Sequence, residues 1–174
     1  FYPALIPAIT LQFSGESDFD FETHSDTEVV LKSFIKWGEK CLDRFNGIFA
    51  FAVYDEKKHQ LFLARDRIGV KPLFYYENNN KLIFSSEIPA LLEHPDIPHE
   101  IDSQGVSELI LIAPGRTASC GVIKGIKEVK AGCCGFYNQD GLKLHEYWRL
   151  KAYELQENFE QTAEHVRELV LDSI

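Results

Sequence analysis

The chain has 174 residues, of which 45% are apolar and 26% are charged, so its length and composition fit one globular domain or most of one. This composition excludes a disordered chain, a collagen and a coiled-coil array. No apolar run approaches the ~20 residues of a membrane span, so we expect no membrane partner. The net charge of −9 opposes binding to phosphate backbones and anionic lipids, so we expect no nucleic-acid partner either.

The cysteines give no sign of a disulfide or of a metal site. The four cysteines are Cys41, Cys120, Cys133 and Cys134, and no C-x-x-C pair is present. We therefore expect reduced cysteines, a cytoplasmic protein and no metal site in this chain. The chain also starts at Phe1 and contains no Met, so we expect a processed, truncated or incomplete sequence.

A helix is predicted directly after Ser25. Ser25 can cap its N-terminus, and Glu28 three residues later completes the pattern of a capping box. Gly38 is expected to end or bend the helix. One apolar face follows at helical spacing, formed by Val30, Phe34, Trp37 and Cys41.

Four strands are predicted next, at residues 48–54, 61–64, 73–76 and 82–84. The polar links between the members of each pair are short, which favours antiparallel hairpins. Residues 48–54 are apolar at every position, so both faces of this sheet must be covered. A second sheet on one side and helices on the other would cover them; the alternative is a barrel-like core with a helix in one end.

The rest of the chain alternates short helices and a hairpin. Ile88, Leu91 and Leu92 fit a short helix, and Asp102 can cap another that ends before Pro114. Residues 135–147 are predicted to form a hairpin that turns at Asp140. A charged linker and a final helix follow, so we place one domain at 1–150 and a linker with the first helix of a second domain at 151–174.

Short motifs for phosphate loops, dinucleotides, serine hydrolases and zinc proteases are absent. Seven other segments occur in series: T-H-S-D-T-E-V (23–29), N-G-I-F-A-F-A (46–52), A-R-D-R-I-G-V-K-P-L (64–73), F-S-S-E-I (84–88), P-G-R-T (114–117), K-G-I-K (124–127) and E-Y-W (146–148). In this order and at these spacings the chain resembles the glutaminase domain of glutamine-hydrolysing asparagine synthetases. The resemblance extends from about residue 19 to the end. Other class II glutamine amidotransferases share a shorter form of the 64–73 segment.

The resemblance implies an α+β fold: a four-layer αββα sandwich of two antiparallel sheets, of the N-terminal-nucleophile hydrolase type and incomplete at its N-terminus. It also implies a mechanism. In the family an N-terminal Cys attacks the side-chain amide of glutamine, with the chain's own α-amine as base. The ammonia crosses to a synthetase domain, where ATP activates aspartate as an acyl-adenylate.

The chain departs from the family pattern at both ends. Phe1 is not the expected nucleophile, and no internal cysteine has a free α-amine. The N-G-E-I-Y-N segment that supplies oxyanion contacts has no counterpart before Ser25, and Asn46-Gly47 is not that motif. The S-G-G-x-D-S segment for ATP is expected beyond Ile174. We therefore expect most of a glutaminase domain, cut at both ends, without a catalytic residue and inactive as written.

One substrate-binding residue carries over from the family. Asp26 matches the aspartate that holds the α-ammonium group of glutamine, with Ser25 as a neighbour of that site. The alternative for Asp26 is that it only complements the helix dipole. For Arg65, Arg67 and Lys71 we favour local ion pairs, including Asp66, over an anion site.

The resemblance also implies partners and cofactors. Glutamine and the synthetase domain of the same protein are the expected partners, and a homodimer is a further expectation. ATP and magnesium belong to the synthetase domain, so this chain itself needs no cofactor. Two alternatives stay open: a non-catalytic regulatory or interaction domain of the same fold, and the glutaminase domain of another class II amidotransferase.

Overall fold

The computed structural model describes residues 10–13, 22, 25–78, 81–154 and 156–172. Its elements in chain order are β1 (Thr10–Phe13), α1 (Asp26–Trp37), a 3₁₀ segment (Gly38–Arg44), β2 (Phe45–Ile48), β3 (Ala50–Asp55), β4 (Gln60–Arg65), β5 (Phe74–Asn78), β6 (Lys81–Ser85), α2 (Ile88–Leu92), α3 (Ser103–Ser107), a π-helical turn (Glu108–Ile112), β7 (Ile126–Glu128), β8 (Cys133–Asn138), β9 (Gly141–Glu146) and α4 (Phe159–Asp172). Among the described residues, no helix is both long enough and apolar enough to cross a lipid bilayer.

The predicted first helix is confirmed as α1. The Ser25 side chain accepts a hydrogen bond from the backbone N–H of Thr27, which satisfies one of the free donors at the helix start. Gly38 ends the helix with φ of +59°, a conformation that costs glycine little. Cys41, predicted on the same helix, lies instead in the 3₁₀ segment after Gly38, yet it is fully buried.

The described strands form three antiparallel sheets. The strand orders are β3-β4-β8-β9 in the larger sheet, β6-β5-β7 in the smaller one, and a separate β1-β2 pair. The predicted strand at 48–54 is wrong at its start, because Phe49 interrupts it. The backbone N–H of Phe49 donates a hydrogen bond to the carboxylate of Asp66, and the backbone carbonyl of Phe49 accepts one from the backbone N–H of Asp66.

Both faces of the larger sheet are buried, as predicted. On one face Phe51 and Phe62 pack in a cluster with Val30 of α1, and Phe34 stacks on Phe62 with ring centroids 4.8 Å apart. The opposite face carries Ala50 and Leu63, which pack with Tyr75 of the smaller sheet and with Leu73 and Val129, the residues next to its strands β5 and β7. The first face is therefore covered by helix and the second by sheet.

The smaller sheet is also covered on its outer face. Phe74 and Ile126 form a cluster there with Leu91 of α2 and with Ile97. The order of layers is helix, sheet, sheet, helix, so the α+β four-layer sandwich is confirmed. The described strands form separate sheets, and the barrel-like alternative is wrong.

The chain end carries a helix with no buried side chain among its described residues. Val166 and Val170 of α4 are each 53% exposed, although their spacing gives the helix one apolar face. The predicted domain boundary near residue 151 lies between β9 and α4 and stays a prediction.

Candidate functional site

Ser25 and Asp26 lie side by side at the start of α1. Ser25 is exposed and serves as the N-cap, while Asp26 is half-buried in the first helical turn. Glu28 in the same turn is occupied: its carboxylate accepts from the N–H of Glu22 at 2.9 Å and pairs with Lys32 at 2.6 Å. Within the described part of the chain, the Asp26 carboxylate makes no hydrogen bond or ion pair. A carboxylate without a partner can receive a cationic group.

The turn after β4 is organised by one buried carboxylate. Asp66 is 1% exposed and accepts hydrogen bonds from the successive backbone N–H groups of Ile68, Gly69, Val70 and Lys71, at 2.6 to 3.1 Å. Gly69 has φ of +72°, and a Cβ there would lie 3.0 Å from the Cβ of Ala131. The glycine and the aspartate of this segment therefore fix the turn.

The guanidinium of Arg65 is buried beside the same turn. It donates to the carbonyl oxygens of Gly69, Lys71 and Val129 at 2.6 to 2.7 Å. It also pairs with Glu128 at 2.9 Å. The structural role predicted for Arg65 is confirmed, but the predicted ion-pair partner is wrong. Glu128 is its partner because backbone N–H groups occupy the Asp66 carboxylate.

Two distant segments meet at Gly132. Its N–H donates to the carbonyl of Asp66 at 2.9 Å, and its own carbonyl accepts from the N–H groups of Tyr147 and Trp148. A Cβ on Gly132 would lie 2.3 Å from the carbonyl oxygen of Trp148, so only glycine fits this close approach. The 64–73 and 146–148 segments are thus parts of one scaffold.

The 114–117 segment is held by two acidic residues. Glu108 accepts from the N–H of Thr117 at 2.7 Å, and hydrogen bonds from Thr117 lower the pKa of Glu108. Arg116 lies 3.7 Å from the carboxylate of Glu128, which Arg65 also contacts, and 5.1 Å from the centre of the Phe74 ring. The contacts described for this segment and for the Arg65 turn include neither Ser25 nor Asp26.

A cluster that the sequence did not indicate joins Glu39, Cys134 and His145. The Cys134 Sγ and the Glu39 carboxylate each lie 3.4 Å from the Nε2 atom of His145. Burial raises the pKa of the Cys134 thiol to about 12, and the charge of Glu39 adds to the effect. These residues are far apart in the sequence and match no metal-ligand spacing, so only the fold brings them together.

Comparison with known proteins agrees with this architecture. A family model described as a glutamine amidotransferase domain matches residues 10–148. The glutamine-hydrolyzing asparagine synthetase 3 of Bacillus subtilis is 46% identical over 154 residues, which are 88% of this chain and 25% of that protein. The putative glutamine-hydrolyzing asparagine synthetase 2 of Methanocaldococcus jannaschii is 30% identical over 94% of this chain and 32% of that protein.

A solved structure extends the comparison to the fold. The glutamine phosphoribosylpyrophosphate amidotransferase of B. subtilis, complexed with ADP and GMP, has a TM-score of 0.51 and 20% identity over 75% of this chain and 24% of that chain. At this identity the likeness concerns the fold alone. The chain spans about a quarter to a third of the length of the curated relatives named above.

Proposed function

Because the chain belongs to the glutamine amidotransferase domain family, we propose that it is the glutamine-hydrolysing part of an asparagine synthetase. The main support is the 46% identity to a glutamine-hydrolyzing asparagine synthetase over 88% of the chain. The likeness to a phosphoribosylpyrophosphate amidotransferase is 20% identical and concerns the fold, so it gives less support to a different acceptor of ammonia. No described contact favours a purely non-catalytic domain.

In this proposal the parent protein splits the side-chain amide of glutamine and passes ammonia to a synthetase domain. That domain, which would bind ATP and magnesium, converts aspartate to asparagine. The cysteines described here do not supply the nucleophile. Burial raises the pKa of the thiols of Cys41 and Cys134 to about 12, so these thiols stay protonated and weakly nucleophilic near neutrality. None of the four has a free α-amine, so a polypeptide of these 174 residues alone should not hydrolyse glutamine.

We assign Asp26 to the α-ammonium group of glutamine. The observation that carries this role is a half-buried carboxylate at the start of α1 without a partner among the described residues. Its neighbour Glu28 already pairs with Lys32, so the two acidic residues of one helical turn differ in their availability. Ser25 contributes by capping the helix that positions Asp26.

The test is Asp26→Asn in the parent protein. Loss of a charge-assisted hydrogen bond of ~1.5–3 kcal/mol should raise the KM for glutamine roughly 10- to 100-fold. Asparagine synthesis from free ammonia should keep its rate, because that reaction does not use the glutamine site. Glu28→Gln is the matched control, since it removes the same charge from the same helical turn. An unchanged KM for glutamine in Asp26→Asn would refute the assignment.

A further inference from the structure

Three potential metal ligands converge on one edge of the larger sheet. Cys134 of β8 and His145 of β9 are direct cross-strand partners, so the sheet register places their side chains on the same face. Glu39 reaches them from the 3₁₀ segment that follows α1. Together the ligand atoms of the three residues lie within 4.8 Å of one another.

Both neighbours of His145 approach the same ring nitrogen. Sγ of Cys134 and the carboxylate of Glu39 each lie 3.4 Å from Nε2. In a nucleophile relay the thiol and the carboxylate would use the two different nitrogens of the ring. A single ring nitrogen carries either one proton or one lone pair, so it serves both groups only through one shared hydrogen bond. A cation between the three groups would contact each of them directly.

We propose that Glu39, Cys134 and His145 bind one divalent cation of the zinc class. Bonds from zinc of about 2.3 Å to sulfur and about 2.0–2.1 Å to nitrogen or oxygen give tetrahedral separations of about 3.5 Å for N···S and about 3.3 Å for N···O. The two separations from His145, 3.4 Å each, agree with these values, and the ligand atoms of Cys134 and Glu39 lie within 4.8 Å of each other. A thiolate, an imidazole and a carboxylate are also the ligand types that zinc accepts in proteins.

The charges around the cluster fit a divalent ion. Lys40 and Asp43 line the same cavity, together with Tyr147. When a cation binds, the thiol of Cys134 releases its proton to solvent and becomes a thiolate. The thiolate, Glu39 and Asp43 then carry three negative charges and Lys40 one positive charge, which leaves two for the metal to neutralise. The fourth coordination position is left to water.

This site is independent of the proposed glutaminase role. None of its three ligands belongs to the seven family segments, and the Asp26 assignment does not use it. The failure of either proposal therefore leaves the other in place.

The experiment titrates the metal-free, reduced 174-residue chain with Co²⁺ and with Zn²⁺. Cobalt reports a thiolate ligand by its near-ultraviolet charge-transfer band and tetrahedral geometry by its visible bands. We expect one Co²⁺ per chain, the thiolate band, and full displacement by one Zn²⁺. His145→Asn and Glu39→Gln change exposed side chains and should preserve the fold, which circular dichroism checks. Each should weaken zinc binding at least ~10-fold, and Cys134→Ala should abolish the thiolate band.

Two variants serve as matched controls. Cys133→Ala removes the adjacent thiol, which packs in the other core cluster. His165→Ala removes a histidine that pairs with Glu157 at 3.5 Å. Both should bind zinc as the unmodified chain does. Absence of the thiolate band in the unmodified chain, or equal zinc affinity in the ligand and control variants, would overturn the proposal.

Discussion

The hydroxyl of Tyr147 donates a hydrogen bond of 2.9 Å to the backbone carbonyl of Arg65, which lies 82 residues earlier in the chain. Tyr147 also bonds through its backbone N–H to Gly132, which in turn bonds to Asp66. Burial raises the pKa of the Tyr147 hydroxyl, so it stays a neutral donor throughout the physiological range. The residues after β9 thus secure the turn after β4.

Tyr147→Phe should lower the free energy of unfolding by about 1–3 kcal/mol, because the partly buried carbonyl of Arg65 loses its side-chain donor. Urea unfolding followed by circular dichroism measures the change. Tyr153→Phe is the control, since Tyr153 is 78% exposed and should unfold at the same urea concentration as the unmodified chain. Equal midpoints for the two variants would show that the bond to Arg65 contributes no stability.

Asp66→Ala should lower the free energy of unfolding by about 3–5 kcal/mol, because several backbone N–H groups of the turn lose a buried acceptor at once. Asp66→Asn keeps one acceptor oxygen and should cost less. Asp55→Ala is the comparison: Asp55 also accepts from two backbone N–H groups, those of Lys57 and Lys58, but in an exposed turn. Chemical denaturation measures the unfolding free energy of the three variants. A loss of stability in Asp55→Ala as large as that in Asp66→Ala would contradict this account of the turn.

Neighbouring residues of β4 test whether both faces of the larger sheet are buried. Phe62 is 1% exposed on the helix side and Leu63 is 0% exposed on the sheet side. Phe62→Ala should lower the free energy of unfolding by about 3–5 kcal/mol, and Leu63→Ala should lower it by about 2–5 kcal/mol. The control Ile110→Ala changes a side chain that is 75% exposed and should stay within about 0.5 kcal/mol. A near-neutral result for either β4 variant would mean that one face of the sheet is open to water.

The lowered pKa of Glu108 predicts that the stability of the fold depends on pH in the acid range. Its pKa is lowered by hydrogen bonds from Thr117, so the folded state favours the ionised carboxylate. The stabilisation is complete above the ordinary carboxyl pKa of about 4.3 and is lost as pH falls through the lowered value. In Glu108→Gln, the free energy of unfolding should therefore fall less steeply as pH decreases through the acid range. An identical fall in the two proteins would contradict the role of Glu108.

The burial of both faces of the larger sheet could be predicted because its signal is local, whereas the four-layer order was implied by the family resemblance. Seven successive apolar residues at 48–54 require cover on both faces of a sheet, and short polar links require hairpins. Ser25 and Gly38 likewise act on their own helix, so the ends of α1 follow from the sequence. These features depend on residues that are close together along the chain.

The remaining features depend on contacts between distant residues. The strand predicted at 48–54 is broken because the backbone of Phe49 forms hydrogen bonds with Asp66 instead. No local sequence pattern indicates these bonds. Arg65 pairs with the distant Glu128 rather than with its neighbour Asp66, because backbone N–H groups occupy the Asp66 carboxylate. The cluster of Glu39, Cys134 and His145 exists only once β8 and β9 pair, so the expectation of no metal site could not take it into account.

The most direct measurement of the central claim follows the amide nitrogen of glutamine. The parent protein is supplied with aspartate, ATP, magnesium and glutamine labelled with ¹⁵N in its side-chain amide, and the products are analysed by mass spectrometry. The account predicts ¹⁵N in the side-chain amide of asparagine, with far less label at low glutamine concentration in Asp26→Asn. Unlabelled asparagine, or no asparagine at all, would contradict it.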